Sequence, residues 1–306
     1  MRLPLPDHGG RVAIALAVLY VVWGSTYLAI RVAVEHLPFA WLCAARYVIA
    51  AALLLGVAAA SRQPRPTTRE VGWAGVMGLF TVYGMNGLVV YAEKTISSGL
   101  AALLVASLPL WLVGIEWLAG APVSRRAAAG CALGMLGVFA VSASGLSGAV
   151  DIVAVGLVLL AALLSAAGLA LAKRVPMPAS GLYLSAWAQA AAAVAFVVTT
   201  LGLGERVAWA AVPASAWWAL AFLTVFGSVV GYSAYFWLSK AARPEVVATY
   251  AFVNPLVAVL LGAALLGERL DVATVVGGAA ILGAVVLVIS PARRRSWTSG
   301  PLRAPT

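Results

Sequence analysis

Charge is what this sequence has least of. Only 10% of its 306 residues are Asp, Glu, Lys or Arg, 63% are hydrophobic, and the mean hydropathy is +1.02. A water-soluble domain carries about 25% charged residues because its surface must be hydrated. The shortage excludes a soluble globular protein and leaves an integral membrane one. Histidine is almost missing: His8 and His36 lie outside the apolar runs, and neither belongs to an H-E-x-x-H motif. A zinc site and a histidine-based intramembrane triad are therefore disfavoured. No aspartate falls inside an apolar run, since Asp7, Asp151 and Asp271 all flank one. No G-x-x-x-x-G-K-[ST] loop is present to cradle a nucleotide phosphate. The expectation is a protein that is not an enzyme and that uses neither cofactor nor metal. The two cysteines, Cys43 and Cys131, sit inside apolar runs and read as small buried hydrophobes, silent about redox compartment.

What is present is a series of long apolar runs. About 20 such residues cross a bilayer as a helix. Runs of that kind lie near 12–30, 38–60, 71–92, 97–118, 127–144, 152–172, 181–203, 214–238, 246–266 and 272–290. They are continuous rather than alternating, which excludes a strand-built barrel. The longest, 214–238, has room for a kink at Gly227 or Gly231. The first run continues through "WGSTYLAIR" without a small-residue cleavage site and reads as a retained helix.

The net charge of +10 does not call for nucleic acid. With a cytoplasmic amino terminus, fifteen of the 20 Lys and Arg residues fall on the inner side. Only Arg31, Lys94, Arg206 and Arg269 fall outside, and Arg46 lies within the second span. That asymmetry predicts both termini inside and an even number of spans.

The run "YAFVNPLVAVLLGAALLGERL" holds an Asn-Pro pair that has a counterpart earlier in the chain. A single offset of 146 residues carries Lys94 onto Lys240 and Pro109 onto Pro255. "WGSTYLAIRV" of span 1 pairs more weakly with "SAAGLALAKR" of span 6. The expected architecture is an all-α membrane protein of ten transmembrane helices, arranged as two inverted five-helix repeats. They cover 1–145 and 150–292, and a basic cytoplasmic tail covers 293–306. Five is odd, so the second half enters the membrane from the opposite face, a feature of secondary transporters that hold substrate between the repeats. Each fourth-helix proline frees a backbone carbonyl, which is tolerated where it lines a wet cavity.

"VVWGSTYLAIR", "NGLVVYAEKTISSGLAALLVASLPL", "FGSVVGYSAYFWL" and "ATYAFVNPLVAVLLGAALLGERL" together resemble the EamA-type, ten-helix branch of the drug/metabolite transporter superfamily, over about 12–290. The resemblance implies a multi-pass protein of the bacterial inner membrane. It would export a small metabolite, amino acid-like or otherwise amphipathic, by alternating access. A lipid or lipid-linked flippase of the same fold is the alternative. The halves have diverged: Gly267–Glu268 stands opposite Ala121–Pro122, and Ser165 stands where a tryptophan is usual.

Helical spacing then nominates substrate-facing residues. Trp23 and Tyr27 share a face in span 1, as do Tyr83, Asn86 and Glu93 in span 3. Ser107 and Trp111 straddle Pro109 in span 4. Tyr232 and Tyr235 share a face in span 8, as do Tyr250 and Asn254 beside Pro255 in span 9. Arg46 is the one clear intramembrane base; it either meets substrate, snorkels outward, or pairs with Glu35 or Glu93. Glu93 and Glu116 are the only carboxylates placed to couple transport to protons, and Glu116 reads equally as a solvated end charge. Trp117, Trp209, Trp217 and Trp218 read as interface anchors, and Gly130 and Gly134 as helix-packing contacts. The expected partners are a small-molecule substrate and the lipid bilayer, with no nucleic acid; a homodimer is left open.

Overall fold

The computed structural model describes residues 8–120, 122, 124–146, 151–242, 250–268 and 272–289. These form helical spans at the ten places where the apolar runs lie, a short 3-10 helix at Trp209–Ala211 and no strand. Seven are long and apolar enough to cross a bilayer: Gly9–Val34, Phe39–Ala60, Thr68–Ala92, Ser98–Leu118, Ile152–Ala172, Gly181–Gly202 and Ala214–Tyr235. Arg125–Leu146, Tyr250–Leu266 and Val272–Ile289 complete the set. In chain order they are called the first to tenth spans. The basic tail at 293–306, the residues joining the two proposed halves at 147–150, and Ala121, Arg243 and Arg269 lie outside the described residues.

Local chemistry sets the span ends. Thr67 and Glu70 form a reciprocal capping box at the start of the third span: the Glu70 carboxylate accepts from Thr67 N–H at 2.7 Å, and Thr67 Oγ1 accepts from Glu70 N–H at 3.3 Å. Asp151 caps the sixth span and accepts from the Thr95 hydroxyl at 2.8 Å. That hydroxyl and the N–H groups of Ala154 and Val153 hold the Asp151 carboxyl below its usual range. Outward-facing Leu136, Phe139, Val198, Leu260 and Val276 are exposed, as expected of side chains solvated by lipid tails.

The packing has a two-fold character. The second span lies along the seventh, the fifth along the tenth, and the fourth against the ninth. The third packs on the sixth as the eighth packs on the first, and the fourth meets the sixth as the ninth meets the first. Exchanging each span with the one five places later reproduces the pattern. A second sign of duplication is local. The third span carries a π-helical turn at Leu79–Gly84 and the eighth carries one at Leu223–Val230. The 146-residue offset lays the first inside the second. Of the two positions with room for a kink, Gly227 lies within this turn and Gly231 directly follows it.

The duplicated prolines have diverged in effect. The fourth span breaks at Ala106–Ser107, between helices Ser98–Val105 and Leu108–Leu118, with Pro109 in the first turn of the latter. There a missing N–H costs nothing, because the first helical N–H groups have no intrahelical partner. Pro255 stands inside the continuous helix Tyr250–Leu266.

Candidate functional site

The first and eighth spans approach closely because Gly231 leaves room for an indole, while Gly227 leaves room for Thr26 of the first span and the Arg46 guanidinium. A Cβ on Gly231 would lie 2.2 Å from Trp23 Nε1. Trp23 Nε1 donates to the Gly227 carbonyl at 3.1 Å, a group set within the π-helical turn of the eighth span. Such turns widen the helix and recur at functional sites. Three tyrosines surround the same indole, with ring centroids at 5.3 Å for Tyr232, 5.5 Å for Tyr235 and 5.3 Å for Tyr250. Tyr235 and Tyr250 also meet edge to face at 5.9 Å. Four sequence-nominated residues from three spans thus form one aromatic box.

Arg46 stands beside that box. Its side chain is only 4% exposed, so it neither snorkels to the surface nor joins Glu35, whose carboxylate pairs with Arg31 at 3.1 Å. Arg46 Nε donates to Ser228 Oγ at 2.9 Å, and the guanidinium lies 4.8 Å above the Tyr47 ring. Its Nη1 has no hydrogen-bond partner, nor does the neighbouring Tyr47 hydroxyl. Tyr232 feels the Arg46 charge and is hydrogen-bonded to the Asn86 side chain, whose Nδ2 also donates to Thr81 O at 3.4 Å. Asn254, 7% exposed, packs its backbone near Gly24 of the first span, and its Oδ1 is unpartnered.

Several nominated residues stand apart from this group. Tyr83 turns toward the seventh span, hydrogen-bonding Thr199 at 2.8 Å and meeting Phe196 at 4.7 Å. Asn86 follows it at the third position along the chain, which in an α-helix would put both on one side. The π-helical turn that contains Tyr83 changes the angle and parts them. Trp111 donates to Ser107 Oγ at 3.2 Å, and Ser107 donates to Leu104 O at 2.6 Å, so both bonds stay within the fourth span beside Pro109. Tyr27 packs against the buried cluster that includes Val89, Leu100, Leu104 and Val158, near Glu93. Glu116 is an end charge, paired with Lys173 at 3.4 Å and Arg174 at 3.1 Å.

The sequence reading missed Ser228, Tyr47 and Glu268. Ser228 had a usable signal, a hydroxyl inside "FGSVVGY" within an otherwise apolar run. Tyr47 had only its adjacency to Arg46. A cavity of about 200 Å³ lies elsewhere, at the ends of the third and sixth spans, lined by Tyr91, Lys94, Thr95, Asp151 and Leu157 among others.

The profile of the EamA-like transporter family matches this chain twice, over residues 11–143 and 152–290. The chain is 34% identical over 277 residues to the uncharacterized inner membrane transporter YedA of Escherichia coli (strain K12), covering 90% of this chain and 89% of that one. It is 24% identical to the uncharacterized transporter YvbV of Bacillus subtilis (strain 168), covering 91% of each. A protein of known crystal structure shares the fold at a TM-score of 0.59 and 21% identity, covering 92% of this chain and 98% of its own. With two matches that span nearly all the chain and a membrane transporter at one third identity, this protein belongs to the EamA-like transporter family and is a multi-pass protein of the inner membrane.

Proposed function

We propose that this transporter exports a small amphipathic metabolite carrying an anionic group, such as an amino acid-like solute, by alternating access. Its two five-helix repeats are oppositely threaded, with both termini in the cytoplasm. Support for inverted threading comes from span ends that share one face: Thr95, after the third span, bonds Asp151, which opens the sixth, while Arg31, near the end of the first span, donates to the Glu93 carbonyl. The first span therefore ends where the sixth begins.

The observation that carries the substrate class is the unpartnered Nη1 donor of buried Arg46. A buried ionised donor without a partner is costly, by about 1–3 kcal/mol or more. A carboxylate arriving from the cytoplasm supplies the missing acceptor for Nη1, and the aromatic box receives the apolar part of the same molecule. Asn254 adds an acceptor for a substrate ammonium or hydroxyl.

Two outcomes test this reading. Arg46→Ala is expected to raise the half-saturation concentration for an anionic or zwitterionic substrate about 30-fold, equivalent to roughly 2 kcal/mol. Folded yield should fall much less; equal losses in rate and yield would make Arg46 structural. Asn254→Leu, in cells overproducing the protein, is expected to abolish the metabolite enrichment of the medium that the parent chain causes. Normal export by that variant would put the binding face elsewhere. Vesicle assays that moved labelled lipid and no soluble solute would replace the metabolite reading with a flippase.

A further inference from the structure

Among the described residues, one carboxylate is buried without a hydrogen-bond partner. Glu93, the residue directly after the third span, is 0% exposed, and neither of its carboxylate oxygens has a hydrogen-bond partner. The nearby Arg31 does not neutralise it. Arg31 Nε is committed to Glu35 at 3.1 Å, and its Nη1 donates to the Glu93 backbone carbonyl instead. The second span offers no help, because Arg46 is turned to Ser228. The sixth span presents Asp151, which is bonded to Thr95 and to its own helix start. Among the described residues, the groups that act on Glu93 are Tyr27 and Arg31 of the first span and the carboxylate of Glu268.

Glu268 is held in the opposite condition. Gly267 ends the ninth span in the left-handed region, at φ 66°, and Glu268 N–H returns to the Gly262 carbonyl at 3.1 Å. The carboxylate then crosses to the amino end of the fourth span. It accepts from Ser98 N–H and Ser98 Oγ, both at 2.9 Å, and from Gly99 N–H at 3.3 Å. A helix amino terminus stabilises an anion. The crossing needs Gly262, where a Cβ would lie 2.3 Å from Glu268 Oε2. This contact joins the fourth span of one half to the ninth of the other, and it lies at the end of the bundle that contains Glu93.

A second carboxylate close by disfavours the ionised form of a buried one. Three donors fix the Glu268 side chain at the start of the fourth span. Burial first, then the Glu268 charge, push the Glu93 carboxyl well above the usual carboxylate range, against the pull of Arg31. We propose that Glu93 is a proton-binding site that controls the outer gate, the Glu268–Ser98 contact closing only when Glu93 carries a proton. The proton comes from the outer aqueous phase as the gate closes. When Glu93 is ionised, its repulsion of Glu268 favours the parted state, in which water solvates both groups. This rests on the alternating-access reading above, and it adds the ligand that one of the two states must bind.

The test is a distance titration on the full chain, made in the absence of substrate. Cys43 and Cys131 are the chain's only cysteines and both are free, so replacing them with alanine clears the background. Spin labels at Lys94→Cys and Val272→Cys then report the width of the outer end. The label-to-label distance should lengthen as pH rises above the ordinary carboxylate range and stay short at every pH in Glu93→Gln. Should Glu93→Gln give no folded protein, Glu93→Asp decides: the midpoint moves if Glu93 is the titrating group, since the two carboxyls already differ by about 0.4 unit when unperturbed. A distance indifferent to pH, a Glu93→Gln profile like the parent's, an unmoved midpoint in Glu93→Asp, or opening governed by sodium at fixed pH overturns the proposal. Because no substrate is present, such a failure would leave the export reading standing. Loss of export in vesicles would count against that reading without altering the titration.

Discussion

Trp23→Ala is expected to lower the initial transport rate about 100-fold per folded molecule, the cost of misplacing a positioned site by roughly 1 Å. The indole meets the rings of Tyr232, Tyr235 and Tyr250 together, and it donates to the π-turn carbonyl of Gly227. Without it the eighth and ninth spans lose the shared surface that sets their separation from the first. Ring contacts of this type contribute about 0.5–1.5 kcal/mol each beyond the area they bury. Trp23→Phe separates the two roles. It keeps an aromatic face for the tyrosines and removes the indole donor from the Gly227 carbonyl. A hydrogen bond contributes about 0.5–1.5 kcal/mol net, and each 1.4 kcal/mol is a factor of ten, so a loss of up to about 10-fold is expected there. Uptake into vesicles, normalised to monodisperse protein, makes the measurement. A loss confined to protein yield, with normal rate per molecule, would show the box to be packing and not a substrate wall.

The spans themselves were legible because the signal is coarse: a bilayer demands a long apolar run, and each of the ten runs became a helix. The duplicated Lys and Pro were legible for the same reason, since a fixed offset survives divergence. What a proline does was less so. Pro109 and Pro255 occupy equivalent places, but one opens a new helix after a break and the other sits in an unbroken one. That difference depends on how neighbouring carbonyls are satisfied, which the local sequence does not state. Face assignments held where the helix stayed α-helical, as for Tyr232 with Tyr235. They failed across the π-helical turn, where Tyr83 went to Phe196 and Thr199 while Asn86 went to Tyr232. An inserted turn of this kind leaves no mark in hydropathy. Arg46 was nominated from its charge alone, yet the partner it found, Ser228, lies 182 residues away and is a tertiary fact. Glu268 was legible as part of the Gly-Glu that ends the ninth span, but its target at Ser98 was not.

Gly78→Ala is expected to be among the most damaging single changes to stability, although it adds one methyl group. Gly78 ends the first helical section of the third span, where that span crosses the seventh. A Cβ there would lie 2.1 Å from the Ala188 carbonyl oxygen and 2.6 Å from both the carbonyl carbon and Cα of Ala188. All three atoms are backbone, so no rotamer change relieves the overlap; the two spans must separate. Overpacking of this kind costs about 1–3 kcal/mol and sometimes more. The contrast with Gly134 is sharp. Its Cβ would come as close, 2.0 Å, but to Leu110 Cδ1, the far end of a flexible side chain that can swing away. Gly134→Ala should therefore melt, in detergent, within a few degrees of the parent, and Gly72→Ala, with open space around it, should match or exceed the parent. Adding Ala188→Gly to Gly78→Ala should not rescue stability, because the obstructing atoms remain when that methyl is removed. Rescue by that second substitution would mean that side-chain crowding, and not the approach of two backbones, sets the spacing between the third and seventh spans.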